Sequence, residues 1–191
     1  AKRSESEWVN LVRTKQASGE IKLPIQINAI AGQASLPEAE VYGKMLDRQF
    51  REAFPTTAFT GGLERALQNG GTRGLRRGRD MNRFLERHTT FELLNTSVDE
   101  FLQERIDPEF RRLAQDQGFR REVKAVQRVF KLTPSFEATD ILLADDLHSA
   151  QKVYRMGESE FVRRYSDRSG FTPETAKLAW NRAADTHAAV L

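Results

Sequence analysis

The sequence predicts an all-α fold, a multi-helix array of short packed helices with at most one short extended segment near residues 21–27. Three observations predict it. Apolar residues recur at steps of three or four along most of the chain, the spacing that gathers them on one face of a helix. Start signals precede these stretches, among them Leu36-Pro37-Glu38, Ser97-Val98-Asp99-Glu100, Thr133-Pro134 and Thr172-Pro173-Glu174. Each offers a capping side chain or a proline where a helix can begin. Only one run alternates with period two, and no second run of comparable quality is there to pair with it.

In chain order, residues 4–17 read as a first helix, capped by Ser4 or Ser6 and stopped at Gly19, with Trp8, Leu11 and Val12 on its apolar side. Ile21, Leu23, Ile25 and Ile27 then alternate with Lys22, Pro24, Gln26 and Asn28, as in a strand. Pro24 restricts this run to a sheet edge or an extended connector lying across helices. The next helix opens at Leu36-Pro37-Glu38. It carries Val41, Met45, Leu46, Phe50, Ala53 and Phe54 on one face, with Lys44, Asp47, Arg48, Arg51 and Glu52 mostly on the other. Pro55 ends it and can start another, striped by Phe59, Leu63, Ala66 and Leu67.

Residues 69–80, NGGTRGLRRGRD, break the composition. Four glycines cost too much backbone entropy for a stable helix, so a mobile loop is expected. The chain then divides into an N-terminal helical part at 1–69, the Gly/Arg-rich loop at 70–80 and a C-terminal helical part at 81–191. The two helical parts form either packed subdomains meeting at the loop or one continuous domain. Arg73, Arg76, Arg77 and Arg79 are the candidate anion contacts, because glycine-spaced arginines can track a phosphate backbone. The opposing reading is a solvated surface loop. No aromatic is interleaved to stack a base, and neither GxxxxGK[ST] nor GxGxxG is present.

Beyond the loop, Met81, Phe84 and Leu85 mark a short helix, and Ser97 and Glu100 have capping-box spacing ahead of Phe101 and Leu102. Asp107-Pro108 starts a helix with Phe110 and Leu113 that Gly118 closes. Phe119, Val123, Val126 and Phe130 stripe the next, whose other faces carry Arg120, Arg121, Lys124, Arg128 and Lys131. Residues 132–191 parse into four short helices forming a helical-hairpin unit. Its stripes are Phe136, Thr139 and Leu143; Leu147, Ala150 and Val153; Phe161 and Tyr165; and Ala176, Trp180, Ala183, His187 and Val190. Asp145-Asp146 and Gly157-Glu158-Ser159 punctuate it. Helices this short must pack on one another to be stable.

The chain has 191 residues, 39% hydrophobic and 30% charged, which suits one good core or two small ones and excludes a disordered protein. No apolar run approaches the ~18 residues of a membrane span. The start, AKRSESEWV, lacks both an initiator Met and the apolar stretch of a signal peptide, so a processed chain or a segment of a longer protein is expected. Cysteine is absent, which removes disulfides, thiolate catalysis and cysteine metal sites. Net charge is +3 from 30 basic and 27 acidic residues, a small imbalance that makes nucleic acid an unlikely general partner.

No catalytic, cofactor-binding or metal-binding residues are identified. The three histidines, His88, His148 and His187, form no HExxH or other metal-ligand pair. His187 continues the last apolar stripe, where a buried, hydrogen-bonded ring is expected, and His148 sits beside a helix start. No GxSxG elbow exists. Asp145-Asp146 is read as acid placed at a helix N-terminus to suit its dipole. The run ILLADDLHSAQKVYRMGESEF has the outline of a helix-hairpin-helix, but DNA-binding versions have a glycine-rich first turn where this chain has Ala144-Asp145-Asp146.

The segment QRVFKLTPSFEATDILLADDLHSAQKVYRMGESEFVRRY resembles the helical region of the A component of Tc (toxin complex) insecticidal toxins and related bacterial virulence proteins. The matching positions are Val126 to Pro134, Leu142-Leu143, Leu147, Ser149-Ala150, Met156-Gly157 and Phe161. Upstream, VYGKMLDRQFREAFPTTAFTGGL and FLERHTTFELLNTSVDEFL are similar to further blocks in the family's order. The resemblance covers residues 36–191 apart from the Gly/Arg loop. It departs at that loop and at Asp146, where the family usually has glycine. The resemblance implies a non-enzymatic, structural and interaction segment within an α-helical shell around a central channel. It implies as partners the neighbouring domains of a larger parent protein and the other toxin-complex components. It also implies a homo-oligomeric, pentameric full-length protein and a secreted toxin. No cofactor is implied. The alternative is a small nucleic-acid-binding module using the helix-hairpin-helix-like unit and the arginines of the loop. A third option is an enzyme whose groups converge only in three dimensions, with a deep pocket of perturbed titratable groups as its signature.

Overall fold

A computed structural model of the chain describes residues 1–189. Val190, the last residue of the expected C-terminal stripe, lies outside the described residues, as does Leu191. Among the described residues there are twelve α-helices, one 3-10 turn and no strand, so the fold is all-α as the periodicity predicts. No described helix is long and apolar enough to cross a membrane. The chain falls into two compact units, 1–61 and 62–191. The division lies inside a helix, not at the Gly/Arg loop, because that loop is bonded into the second unit.

The first unit contains α1 (Glu5–Ala17), α2 (Ile25–Ala34), α3 (Glu38–Ala53) and the beginning of α4 (Pro55–Gln68). Ser4 opens α1 with a reciprocal box: its hydroxyl accepts from the Glu7 N–H at 3.3 Å, and its own N–H donates to the Glu7 carboxylate at 2.6 Å. Trp8, Val9 and Val12 are buried, and the Phe50 ring of α3 stacks on Trp8 at 4.7 Å. Gly43 lets α3 come this close, since a Cβ there would stand 2.6 Å from the Val9 Cα. Asp47, expected on the polar face, is buried, with the Arg51 Nε donating to its carboxylate at 2.8 Å. One turn of helix brings the two together, so the charge enters the interior with a partner.

The alternating run around residues 21–27 is not a strand. Residues 21–24 form an irregular connector, and Pro24 takes the N-cap position of α2. Proline lacks an N–H, which costs nothing at a helix start. Ile27 and Ala31, one turn apart, are then the buried pair of α2, while Ile25 faces solvent.

The second unit continues with the rest of α4, then α5 (Gly78–Arg87), α6 (Val98–Glu104), a 3-10 turn (Pro108–Phe110), α7 (Arg111–Gln115) and α8 (Gln117–Leu132). It ends with α9 (Phe136–Ala144), α10 (Ala150–Met156), α11 (Glu158–Tyr165) and α12 (Pro173–Ala188). Phe84 centres one part of its interior, with the rings of Phe91, Phe119 and Phe101 packed edge-on at 5.1, 5.6 and 6.0 Å. The helical-hairpin unit has its own cluster, in which Leu142, Val153, Phe161, Tyr165, Ala176 and Ala183 are wholly enclosed.

Several caps differ from those read in the sequence. Ser135, not Thr133, opens α9, accepting from the Ala138 N–H at 3.4 Å, while Thr133 closes α8. Gly118 lies in the first turn of α8, whose cap is Asp116, rather than ending the helix before it. Asp145 and Asp146 do not open α10; they close α9, and Ser149 opens α10. The closure is a Schellman motif: the Leu147 N–H donates to the Leu142 carbonyl at 2.8 Å and the Asp146 N–H to the Leu143 carbonyl at 3.1 Å.

Asp146 carries the left-handed backbone of this motif, φ 61°. Aspartate tolerates that region better than most residues but less well than glycine. Its carboxylate also takes the Lys152 ammonium and lies 3.2 Å from the His148 Nδ1. Asp146→Gly relieves the backbone and loses exposed ion pairs, so its unfolding free energy should lie within about 1 kcal/mol of the parent. Asp146→Ala loses the pairs and keeps the strain, and should cost about 1 kcal/mol or more. Urea melts of the two variants side by side check the order.

Candidate functional site

The arginine loop joins α4 to α5 over residues 69–77. Gly70 and Gly71, at φ 109° and 107°, turn the chain after α4. Expected to be mobile, the segment beyond them is tied down by two carboxylates, each taking consecutive backbone N–H groups. The Arg73 and Gly74 N–H groups donate to the two oxygens of Asp140 on α9, each at 2.9 Å. The Arg77 N–H donates to Glu122 of α8 at 3.1 Å, and the Arg76 N–H bonds the same carboxylate. Between the two anchors Leu75 is buried, and the Thr72 hydroxyl donates to its carbonyl at 2.6 Å. Gly74 is required by contact: a Cβ there would run into the Asp140 carbonyl oxygen and stand 2.5 Å from the Ala144 nitrogen.

This geometry sorts the candidate anion contacts. The Arg77 guanidinium is engaged, 2.8 Å from Asp116 and 3.9 Å from Asp80. Arg73, Arg76 and Arg79 project exposed side chains without an ion pair among the described residues. Consecutive N–H groups of the kind that cradle phosphate are present, but Asp140 and Glu122 already fill them. An incoming polyanion would therefore meet three flexible side chains and no backbone cradle.

The hairpin turn is closed to phosphate for a related reason. Its N–H groups at Asp145, Asp146 and Leu147 all donate to carbonyls of α9. Asp145 accepts from the Tyr165 hydroxyl at 2.8 Å and from Arg164 at 3.0 Å. Burial, reinforced by that bond to Asp145, holds the Tyr165 phenol well above the ordinary tyrosine range. It serves as a neutral donor that ties α11 to the end of α9.

The histidines have separate settings. His88 is buried, its Nδ1 3.0 Å from the Phe84 carbonyl and its Nε2 accepting the Asp107 N–H at 3.3 Å, which fits a neutral ring protonated on Nδ1. Phe84, Phe110 and Phe101 surround it at 4.9, 4.9 and 5.6 Å. His148 is partly exposed beside Asp146. His187 is not the buried ring expected but a half-buried one, packed against Tyr154 at 4.6 Å. Among the described residues no group of three or more His, Cys, Asp or Glu side chains could hold a metal ion.

The carboxylates set the response to acid. Hydrogen bonds from Lys124 and Arg120 hold Asp99 below the ordinary aspartate value of 3.8. The Phe119 N–H, with Arg77, does the same for Asp116, and Lys152 for Asp146. Stability from these three is present above pH 3.8 and lost as pH falls through their depressed values. Glu122 runs the other way. Burial, only partly offset by the loop N–H groups, raises it above 4.5, so its contribution is lost as pH rises through that raised value. Measured as a difference from the parent, Glu122→Gln should lose stability increasingly as pH falls from 7 into mild acid, and the urea midpoints of both should fall below pH 3.8.

Of the two anchors, only Asp140 leaves a signal in the sequence. Asp140 follows Phe136 by one helical turn on a stripe that is otherwise apolar, and a lone aspartate there is a sign of a buried acceptor. Glu122 carried no comparable signal. Comparison with protein-family models, curated proteins and solved structures found no match to the chain.

Proposed function

We propose that the chain is a structural and interaction segment of a Tc-like toxin A component, supplying rigid helical packing to a shell around a central channel. One observation carries this reading. Asp146, the position where the family usually has glycine, is one of two described non-glycine residues with positive φ. A glycine preference at that point has a backbone cause that this fold possesses. Most of the other matched positions are also places where the fold is built. Val126, Val129, Phe130, Leu132, Leu142 and Phe161 are buried, Ser149 caps α10, and Gly157 turns at φ 82°. A resemblance that falls mainly on core, cap and turn positions, with Arg128 and Lys131 exposed within the matched run, points to architecture rather than to chemistry. Neighbouring domains of a longer parent and other toxin-complex components are its partners. The test is the full-length parent, imaged after purification. A fivefold assembly with this segment in the outer wall is the expected result, and a monomer or a channel-free particle would defeat the proposal.

A nucleic-acid module is the second reading, favoured only by the exposed side chains of Arg73, Arg76 and Arg79. Three phosphate contacts give a salt slope of at most about −3 and weak non-specific affinity. Retention on duplex DNA should therefore vanish by about 150 mM salt. Retention that persists there, and is lost when the three arginines become alanine, would reverse the preference.

A further inference from the structure

The helix α5 faces the 3-10 turn and α7 across a seam of charge. At one end Arg87 donates to Asp107 at 2.6 Å and lies 3.5 Å from Glu109. At the other, Arg77 pairs with Asp116 at 2.8 Å and approaches Asp80 at 3.9 Å. Arg83 lies between them on α5, one turn before Arg87. Its guanidinium carbon sits over the Phe110 ring at 5.8 Å, and it has no ion pair among the described residues. Arg112, on α7 across the seam, likewise has none. Both border an open cavity of about 290 Å³ with Phe110 and Leu113 on its apolar side.

Every acid that borders this cavity is already near a cation: Asp116 and Asp80 near Arg77, Glu109 near Arg87. Arg83 and Arg112 are the two lining cations without an ion pair of their own among the described residues, while the lining as a whole is balanced, Arg77, Arg83 and Arg112 against Asp80, Glu109 and Asp116. Guanidinium forks bind oxyanions through paired N–H groups, and the adjoining apolar surface suits a small hydrophobic body. The volume admits a ligand no larger than a substituted ring.

We propose that this cavity is a binding site for a small organic oxyanion, an apolar group bearing a carboxylate or a phosphate. Arg83 and Arg112 take the charged end, and Phe110 and Leu113 carry the apolar part. The site is independent of the toxin-segment reading and of the loop arginines.

Isothermal titration of the intact chain with phenyl phosphate and with benzoate tests this, with inorganic phosphate and benzyl alcohol as the two halves of the ligand. Saturable one-to-one binding of either whole probe is expected, at least about tenfold tighter than either half, and the tighter of the two identifies the oxyanion. Arg83→Gln and Arg112→Gln should each weaken binding about tenfold without changing the thermal melt, since both side chains are exposed. The triple variant Arg73→Gln, Arg76→Gln, Arg79→Gln should bind as the parent does. Absence of saturable binding, equal binding of inorganic phosphate, or indifference to Arg83 and Arg112 would each overturn the assignment.

Discussion

Asp140→Ala should lower the unfolding free energy by about 3 kcal/mol and release the arginine loop. The carboxylate is buried and accepts two backbone N–H groups from a segment more than sixty residues away in sequence. Each donor left without an acceptor costs ~1–3 kcal/mol if it stays dry. Water reaching the exposed side of the loop offsets part of that, and so does removing a buried charge, which places the sum in the middle of the range. Asp140→Asn keeps one acceptor and should lose about half as much. Loop release has its own readout. Trypsin cutting after Arg73, Arg76 or Arg77 needs an opened backbone, and a loss of this size raises the open population on the order of 100-fold. An alanine variant that melts like the parent and resists trypsin equally would remove Asp140 as the anchor.

What could be read in the sequence follows the range of the interactions. The caps at Ser4, Ser97 and Thr172 span three residues, and each hydroxyl is found where the residue types put it. The box forms at Ser4 and Thr172, whereas Ser97 has only the hydroxyl half of the box its spacing suggests. The stripe of α8 is legible for the same reason, because a helix repeats its environment every turn, whereas in α3 no residue of the expected stripe is fully buried and the buried line is Ala39, Gly43 and Asp47. Errors enter where two local signals compete. Thr133-Pro134 and Ser135 both suit a helix start, and the chain uses the later one. Ile21 to Ile27 satisfies a two-residue period only until Pro24, after which Ile27 and Ala31 follow the helical one. The loop was illegible because its glycines advertise freedom, whereas its order comes from Asp140 and Glu122 on helices far along the chain. The candidate cavity was illegible too. Arg83 and Arg112 look like any surface arginines until the fold places them at a seam whose acids are already in use.

One substitution made at two helical glycines separates packing from propensity. Alanine ordinarily stabilises a helix interior over glycine by about 1 kcal/mol. At Gly32 of α2 an added Cβ meets nothing within 4 Å, so Gly32→Ala should show that gain in full. At Gly43 of α3 the same Cβ would sit 2.6 Å from the Val9 Cα and 2.8 Å from its nitrogen. Those are backbone atoms, so no rotamer change can clear them, and α1 must withdraw from α3. Withdrawal loosens the Trp8–Phe50 stack and the burial of Val9 and Val12, at a cost of about 3–4 kcal/mol against the same propensity gain. Gly43→Ala should therefore be destabilised by about 2–3 kcal/mol, and the two variants should move in opposite directions on a urea melt. Parallel gains at both sites would mean that α1 and α3 do not meet backbone to backbone at Gly43. The first unit would then owe its packing to side chains alone.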